Sequence, residues 1–284
     1  MASVVSGDKS KSLSAYEVGA TVAAACQFDQ RFSYCLYVPK ALAKLNQLDK
    51  ARVLVVIHGT ERRNESLRDK FSDLAEEHGL IVLAPLFPAG INRPGELDDY
   101  KYVEYGGIRF DLILLAMLDE VGARYGVSVD KAMMFGFSGG AHLAHRFLFI
   151  HADRLSAVSV CAPGSVTLLD GSRDWWVGTR NLEQRFGKRS DVEEMAGVAV
   201  QLVVGENDLD TKAITHKPGG RFWAEGANDA GPTRVARLRS LADSLADAGI
   251  SSRLDLLPGV GHERDALVAA AISFFAQVAE GGLA

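Results

Sequence analysis

The residue best placed to do chemistry in this chain is a serine set among glycines. Ser138 lies in Gly136-Phe137-Ser138-Gly139-Gly140, after the apolar run Ala132 to Phe135 and before a segment with helical spacing. Strand, sharp turn and helix in that order put the hydroxyl at the apex of the turn. The glycines have a physical task, because the serine backbone is strained and a Cβ on a neighbour would collide with the crossing strand and helix. The amides that follow lie at a helix N-terminus, where a developing oxyanion is stabilised.

A serine hydroxyl is a weak nucleophile. It needs a base to take its proton, and the base needs an anion to fix its tautomer. His262 closes Gly259-Val260-Gly261-His262 after the last strand-like run, where the glycines let a loop swing the ring over the serine. The acid is expected in Gly205-Glu206-Asn207-Asp208-Leu209-Asp210, with Asp208 preferred and Asp210 the alternative. Ser, Asp and His then stand in the chain order expected for a serine turn of this kind. An oxyanion hole needs two N–H groups aimed at one point: Gly139 supplies one, and Thr60, after His58-Gly59, is expected to supply the other. His58 is expected to prop that loop. His142 and His145 read as packing or surface residues, since no third ligand stands at metal-site spacing. Such acyl transfer requires no metal and no organic cofactor.

Several residues are candidates for shaping a substrate pocket. Arg62 and Arg63 follow the oxyanion loop and could hold a substrate carboxylate, or form a solvated helix start that Glu61 offsets. Trp175, Trp176 and Trp223 could line an apolar or aromatic acyl pocket, or staple their loops to the body. Tyr100, Tyr102 and Tyr105 cluster before a long helix and are expected to border the cleft.

These residues must be positioned by strands and helices in alternation. Strand-like runs occur at Val18 to Ala25, Phe32 to Val38, Arg52 to Ile57, Leu80 to Ala84, Ala132 to Phe135, Leu155 to Cys161, Val198 to Val204 and Arg253 to Leu257. The first two read as an antiparallel hairpin at the sheet edge. Helical spacing appears over Glu65 to His78, Phe110 to Tyr125, the stretch after Ser138, Thr233 to Ala248 and the C-terminal stretch. The expectation is an α/β chain: a doubly wound, mostly parallel eight-stranded sheet with helices on both faces. Thr60, Ser138, Asp208 and His262 all fall at carboxyl ends of strands, where ligand sites of such sheets collect. Residues 1–12 read as a flexible tail and 13–284 as a single domain, with lid-like insertions at about 165–197 and 211–231.

Composition narrows the function further. A net charge of −5 with no basic block points away from nucleic acid. Three cysteines, Cys26, Cys35 and Cys161, are odd in number and lack a Cys-x-x-Cys pair. That pattern fits a reducing compartment rather than a disulfide framework or zinc site. The apolar stretch Ala15 to Cys26 is interrupted by Glu17 and reads as a strand rather than a signal peptide. No run approaches the ~18 apolar residues of a membrane span. A cytoplasmic location is the resulting expectation, and nothing in the sequence decides between monomer and homodimer.

From Val53 onward the chain resembles the α/β-hydrolases: Ile-His-Gly-Thr, Gly-Phe-Ser-Gly-Gly, Gly-Glu-Asn-Asp and Gly-Val-Gly-His-Glu stand in order. Within that superfamily it looks like the small serine esterases related to polyhydroxyalkanoate depolymerases and esterase D. The oxyanion loop is His-Gly-Thr-Glu rather than the His-Gly-Gly-Gly of many lipases, and serine replaces the nucleophilic aspartate of dehalogenases and epoxide hydrolases. The resemblance implies a hydrolase acting on a small-molecule ester or amide. Ester hydrolysis is the first expectation. An amidase or C–C bond hydrolase with the same triad, and a non-catalytic binding protein on the same scaffold, are the alternatives.

Overall fold

The computed structural model describes residues 13–282, so the expected tail at 1–12 lies outside the described residues. The chain opens with β1 (Gly19–Ala20), β2 (Ala24–Ala25) and β3 (Ser33–Val38), followed by α1 (Lys40–Lys44) and β4 (Arg52–Ile57). Next come α2 (Asn64–Lys70), α3 (Ser72–His78), β5 (Leu80–Leu86), the small hairpin β6 (Glu104–Tyr105) and β7 (Ile108–Arg109), and α4 (Phe110–Tyr125). The second half holds β8 (Ala132–Phe137), α5 (Gly139–His151), β9 (Leu155–Cys161), α6 (Leu182–Phe186), α7 (Val192–Ala196) and β10 (Ala199–Gly205). It ends with α8 (Arg234–Asp247), β11 (Arg253–Leu257) and α9 (Arg264–Ala279).

The main sheet runs β1-β3-β5-β4-β8-β9-β10-β11, with β2 also paired to β3. From β5 to β11 every pairing is parallel, while β3 is antiparallel to β5. The near-continuous apolar runs of β4 and β5 are buried on both faces, as parallel strands require.

Two elements differ from the sequence reading. The single strand expected over Val18 to Ala25 is β1 and β2, both antiparallel to β3. The register slips by one residue between Ala20↔Tyr37 and Ala24↔Tyr34, so one extra residue is bulged out. Thr21 fills the gap, its hydroxyl accepting from Leu36 N–H at 2.9 Å. The sheet therefore has nine strands rather than eight. The single helix expected over Glu65 to His78 is likewise two, broken at Phe71. That ring is fully buried against Phe135 and Phe275, with centroids 5.1 and 6.5 Å away.

The same contacts show how the sheet is covered. Phe135 of β8 packs on Phe71 at the α2–α3 junction, and Phe71 in turn meets Phe275 of α9. Gly136, next to Phe135, points the other way, because successive strand residues face opposite sides. A Cβ on Gly136 would lie 2.4 Å from Gly140 O and 2.8 Å from Ala141 N, so α5 covers that opposite face. Helices thus lie on both faces. All three cysteines are free and buried, and no helix among the described residues is long and apolar enough to cross a membrane.

Candidate active site

Ser138 joins β8 to α5 with φ 51° and ψ −109°, a backbone region that a non-glycine residue occupies only under constraint. Two contacts impose it. Ser138 N–H donates to Cys161 O at the end of β9 (2.8 Å), and the first turn of α5 crosses the end of β4 so closely that a Cβ on Gly140 would lie 2.2 Å from Ile57 O. The strain lifts the hydroxyl above the carboxyl edge of the sheet.

His262, at the end of the loop after β11, places Nε2 3.1 Å from Ser138 Oγ. Its Nδ1 lies 2.6 Å from Asp208 Oδ2, in the turn after β10. The imidazole stacks on Phe137 with centroids 5.0 Å apart, which fixes the plane of the ring. The sequence left the acid open between Asp208 and Asp210. The structure brings Asp208 to His262, whereas Asp210 is exposed and accepts from Lys212 N–H.

The Asp208 carboxylate is buried. Burial alone would raise its pKa, but the hydrogen bond to His262 and the Arg234 guanidinium outweigh that and hold it below the ordinary carboxylate value. Arg234 Nη1 donates to Asp208 Oδ1 at 2.9 Å. Ser138, His262, Asp208 and Arg234 therefore form one unbroken chain of contacts. Sequence reasoning missed Arg234, which is separated from Asp208 by an irregular insertion and marked by no motif.

Thr60 and Gly139 meet beside Ser138. A Cβ on Gly139 would stand 3.2 Å from Thr60 N, and 2.4 Å from the Tyr100 hydroxyl oxygen, so only glycine fits. Among the described residues neither amide donates to a protein acceptor. His58 holds this loop: Nε2 accepts from Phe87 N–H at 3.0 Å and Nδ1 lies 2.8 Å from Gly59 O. Full burial pushes its pKa down to about 4, so the ring is neutral at pH 7 and donates through Nδ1. Tyr100, fully buried, donates its hydroxyl to His58 O at 3.0 Å.

Two cavities open on Ser138. One, of about 610 Å³, is lined by Lys101, Tyr102, Phe222, Trp223 and Arg234 among others. The second, of about 570 Å³, runs between Arg63, Leu67, Phe137 and His262. Trp223 thus borders the site, and Arg63 lies exposed at the rim of the second cavity, paired with Glu61 at 3.2 Å.

Arg62, Trp175 and Trp176 line neither cavity. Arg62 donates to the carbonyls of Phe87, Thr60 and Leu97 at 2.9, 2.6 and 2.8 Å, so its guanidinium braces the loop that carries Thr60. Trp175 and Trp176 are buried, and their indole N–H groups donate to Tyr102 O (3.3 Å) and Phe222 O (3.0 Å). Trp175 staples its insertion to the body, and Trp176 ties it to the 211–231 insertion. His142 and His145 are both buried: His142 Nε2 accepts from Gly164 N–H (2.8 Å) and His145 Nε2 from Thr167 N–H (3.0 Å). Among the described residues no three His, Cys, Asp or Glu side chains converge as metal ligands.

A nine-stranded sheet of this order, with a serine turn after a central strand, is the α/β-hydrolase fold. No protein-family model matches the chain, and no curated protein matches its sequence. Solved structures do match. LpqC, a poly(3-hydroxybutyrate) depolymerase from Bordetella parapertussis, superposes with a TM-score of 0.67 at 22% identity, covering 86% of this chain and 85% of that one. Poly(aspartic acid) hydrolase-1 from Sphingomonas sp. KT-1 gives 0.63 at 18% identity, covering 85% and 92%. An S-formylglutathione hydrolase from Agrobacterium tumefaciens gives 0.56 at 15% identity, covering 89% and 90%.

Proposed function

We propose that the protein is a serine hydrolase that cleaves a carboxylic ester through an acyl-enzyme intermediate. The observation that carries this is that His262 Nε2 lies 3.1 Å from Ser138 Oγ and its Nδ1 2.6 Å from Asp208 Oδ2, beside two amides with no protein acceptor among the described residues. His262 Nε2 takes the Ser138 proton as Oγ bonds to the acyl carbon. Asp208 holds the Nδ1–H tautomer and stabilises the imidazolium. The tetrahedral oxyanion accepts from Thr60 N–H and Gly139 N–H. The imidazolium then protonates the leaving alkoxide, and a water deprotonated by His262 releases the acid from Ser138. Support for an ester comes from neighbours titled poly(3-hydroxybutyrate) depolymerase, ferulic acid esterase and thermostable esterase, while one titled poly(aspartic acid) hydrolase-1 keeps the amide as the second reading.

Treatment with a fluorophosphonate followed by mass spectrometry tests the nucleophile. The expected result is one adduct on Ser138, lost in Ser138→Ala and strongly slowed in His262→Ala. A folded wild-type protein that takes no adduct would sink the reading.

A further inference from the structure

The larger cavity is aromatic along one wall and cationic beside the nucleophile. Tyr102 and Phe222 stack with centroids 4.0 Å apart and, with Trp223, form the aromatic side. Lys101 and Arg234 form the other, and both are more than nine-tenths buried. Lys101 reaches the oxyanion residues: a Cβ on Gly139 would lie 2.8 Å from its Cε. Its Nζ donates to Asp98 Oδ1 at 2.5 Å and has no other acceptor among the described residues. An ammonium has three N–H groups, so most of its donor capacity is unused. Arg234 donates Nη1 to Asp208, and among the described residues its buried Nε has no acceptor and the group has no second one.

Two desolvated cations therefore face one space with donors to spare. Burial pushes the Lys101 ammonium pKa down, and Asp98 restores it only in part. The lining holds Lys101, Lys217, Arg221 and Arg234 against a single carboxylate, Asp98. The acids that offset Arg221 and Arg234, Glu96 and Asp208, stand behind those side chains rather than in the cavity lining. Unmet charged donors in a desolvated site select a ligand that meets them, because leaving them unpaired is costly.

We propose that Lys101 and Arg234 form a carboxylate subsite, so that the half of the substrate entering the larger cavity carries an anion. This deepens the ester-hydrolase reading and rests on it for the reaction, though not for the binding. Asp98 is the internal competitor that an incoming carboxylate displaces from Lys101.

Calorimetry on the Ser138→Ala protein tests the subsite without turnover. Glutarate is expected to bind about tenfold or more tighter than neutral glutaramide. Lys101→Met should erase the difference, Lys101→Arg should restore much of it, and Asp98→Asn should enlarge it. Equal or absent binding of the two compounds overturns the subsite, as does a preference that survives Lys101→Met. Turnover gives the second arm. Monoethyl succinate and O-butyryl glycolate carry the carboxylate on the acyl and alcohol halves, and ethyl pentanoate and propyl butyrate are their neutral counterparts. At least one anionic ester should show about tenfold higher kcat/KM than its counterpart, with the ratio collapsing in Lys101→Met. If Lys101→Met slows all four equally, the ammonium serves the oxyanion and the carboxylate subsite is wrong. If wild type cleaves none of them and takes no fluorophosphonate, the hydrolase reading fails while the glutarate experiment still decides the subsite.

Discussion

Arg234 changes what Asp208 is. A lone buried carboxylate beside a histidine must pay for desolvation through that one partner; here Oδ2 faces His262 and Oδ1 faces a guanidinium, so both oxygens are met. Arg234→Met leaves Oδ1 buried without a donor. We expect a loss of about 3–5 kcal/mol, the usual consequence of breaking a buried pair, measured by urea unfolding at pH 7. The pH dependence has a defined sign. A carboxyl held low in the fold adds stability above its unfolded pKa, and that contribution is lost as pH falls through the folded value. Removing Arg234 raises the folded value, so the acid-unfolding midpoint should move to higher pH. A midpoint that stays put would show that His262 alone holds the carboxylate. Arg62 teaches the complementary point. Its position two residues past Thr60 allowed a substrate contact, yet three backbone carbonyls consume the guanidinium, and only the folded path of 87–97 could reveal them.

The site depends on how closely three elements cross: the ends of β4 and β8, and the start of α5. Gly140→Ala would set a Cβ 2.2 Å from Ile57 O and 2.8 Å from His58 O. It should cost about 1–3 kcal/mol as an overpacked contact and lower kcat far more than it raises KM, since Thr60 moves with the loop. Unchanged kcat in a destabilised protein would separate the crossing from catalysis. His58 ties the ends of β4 and β5, and its burial gives a second measurable slope. A histidine depressed from 6.5 to about 4 binds its proton more readily unfolded, so its contribution is complete above about pH 6.5 and lost as pH falls toward 4. The slope is on the order of 1.4 kcal/mol per pH unit, and the urea midpoint of His58→Gln should fall less between pH 7 and 5 than that of wild type. Much of this layer was legible in the sequence. Strands β9 and β11 and helix α4 match their expected limits, because buried apolar runs and helical periodicity are local signals. The serine turn, and the meeting of Asp208 and His262 beside it, were legible because each follows the end of a strand. The bulge between β1 and β2 and the break at Phe71 were not, since a one-residue register slip and the demand of Phe135 and Phe275 for a ring are set by partners far along the chain. Lys101 and Arg234 carry no motif and acquire meaning only when the cavity assembles.

At the scale of the whole molecule, buried arginines that no periodicity announces anchor the stretches at 165–197 and 211–231. Arg146 is fully buried and donates to Lys101 O (2.5 Å) and the Thr167 hydroxyl (2.9 Å), with its guanidinium 4.7 Å from the Tyr102 ring centroid. Arg237, nearly as buried, donates to the carbonyls of Gly164, Ile214 (2.8 Å) and Gly231 (2.8 Å) and to Asn228 Oδ1 (3.0 Å). Its donors therefore reach both margins of the larger cavity: Gly164 beneath, and the 211–231 insertion that carries Phe222 and Trp223. Desolvation draws the Arg237 pKa down to about 10, still far above neutrality, so it remains a cation that backbone dipoles must satisfy. Arg237→Met keeps the apolar stem but releases four acceptors at once. Most belong to the insertion rather than the sheet, so the damage should be local. Trypsin should then cut at Lys212 or Arg221 much faster than in wild type, while the unfolding midpoint of the body moves little. Ester turnover should fall mainly through a higher KM, because this insertion lines the larger cavity and carries none of Ser138, Asp208 and His262. Cleavage at the wild-type rate, or a cooperative loss of the whole fold, would show that the insertions are instead held by their aromatic contacts with Tyr102 and Trp176.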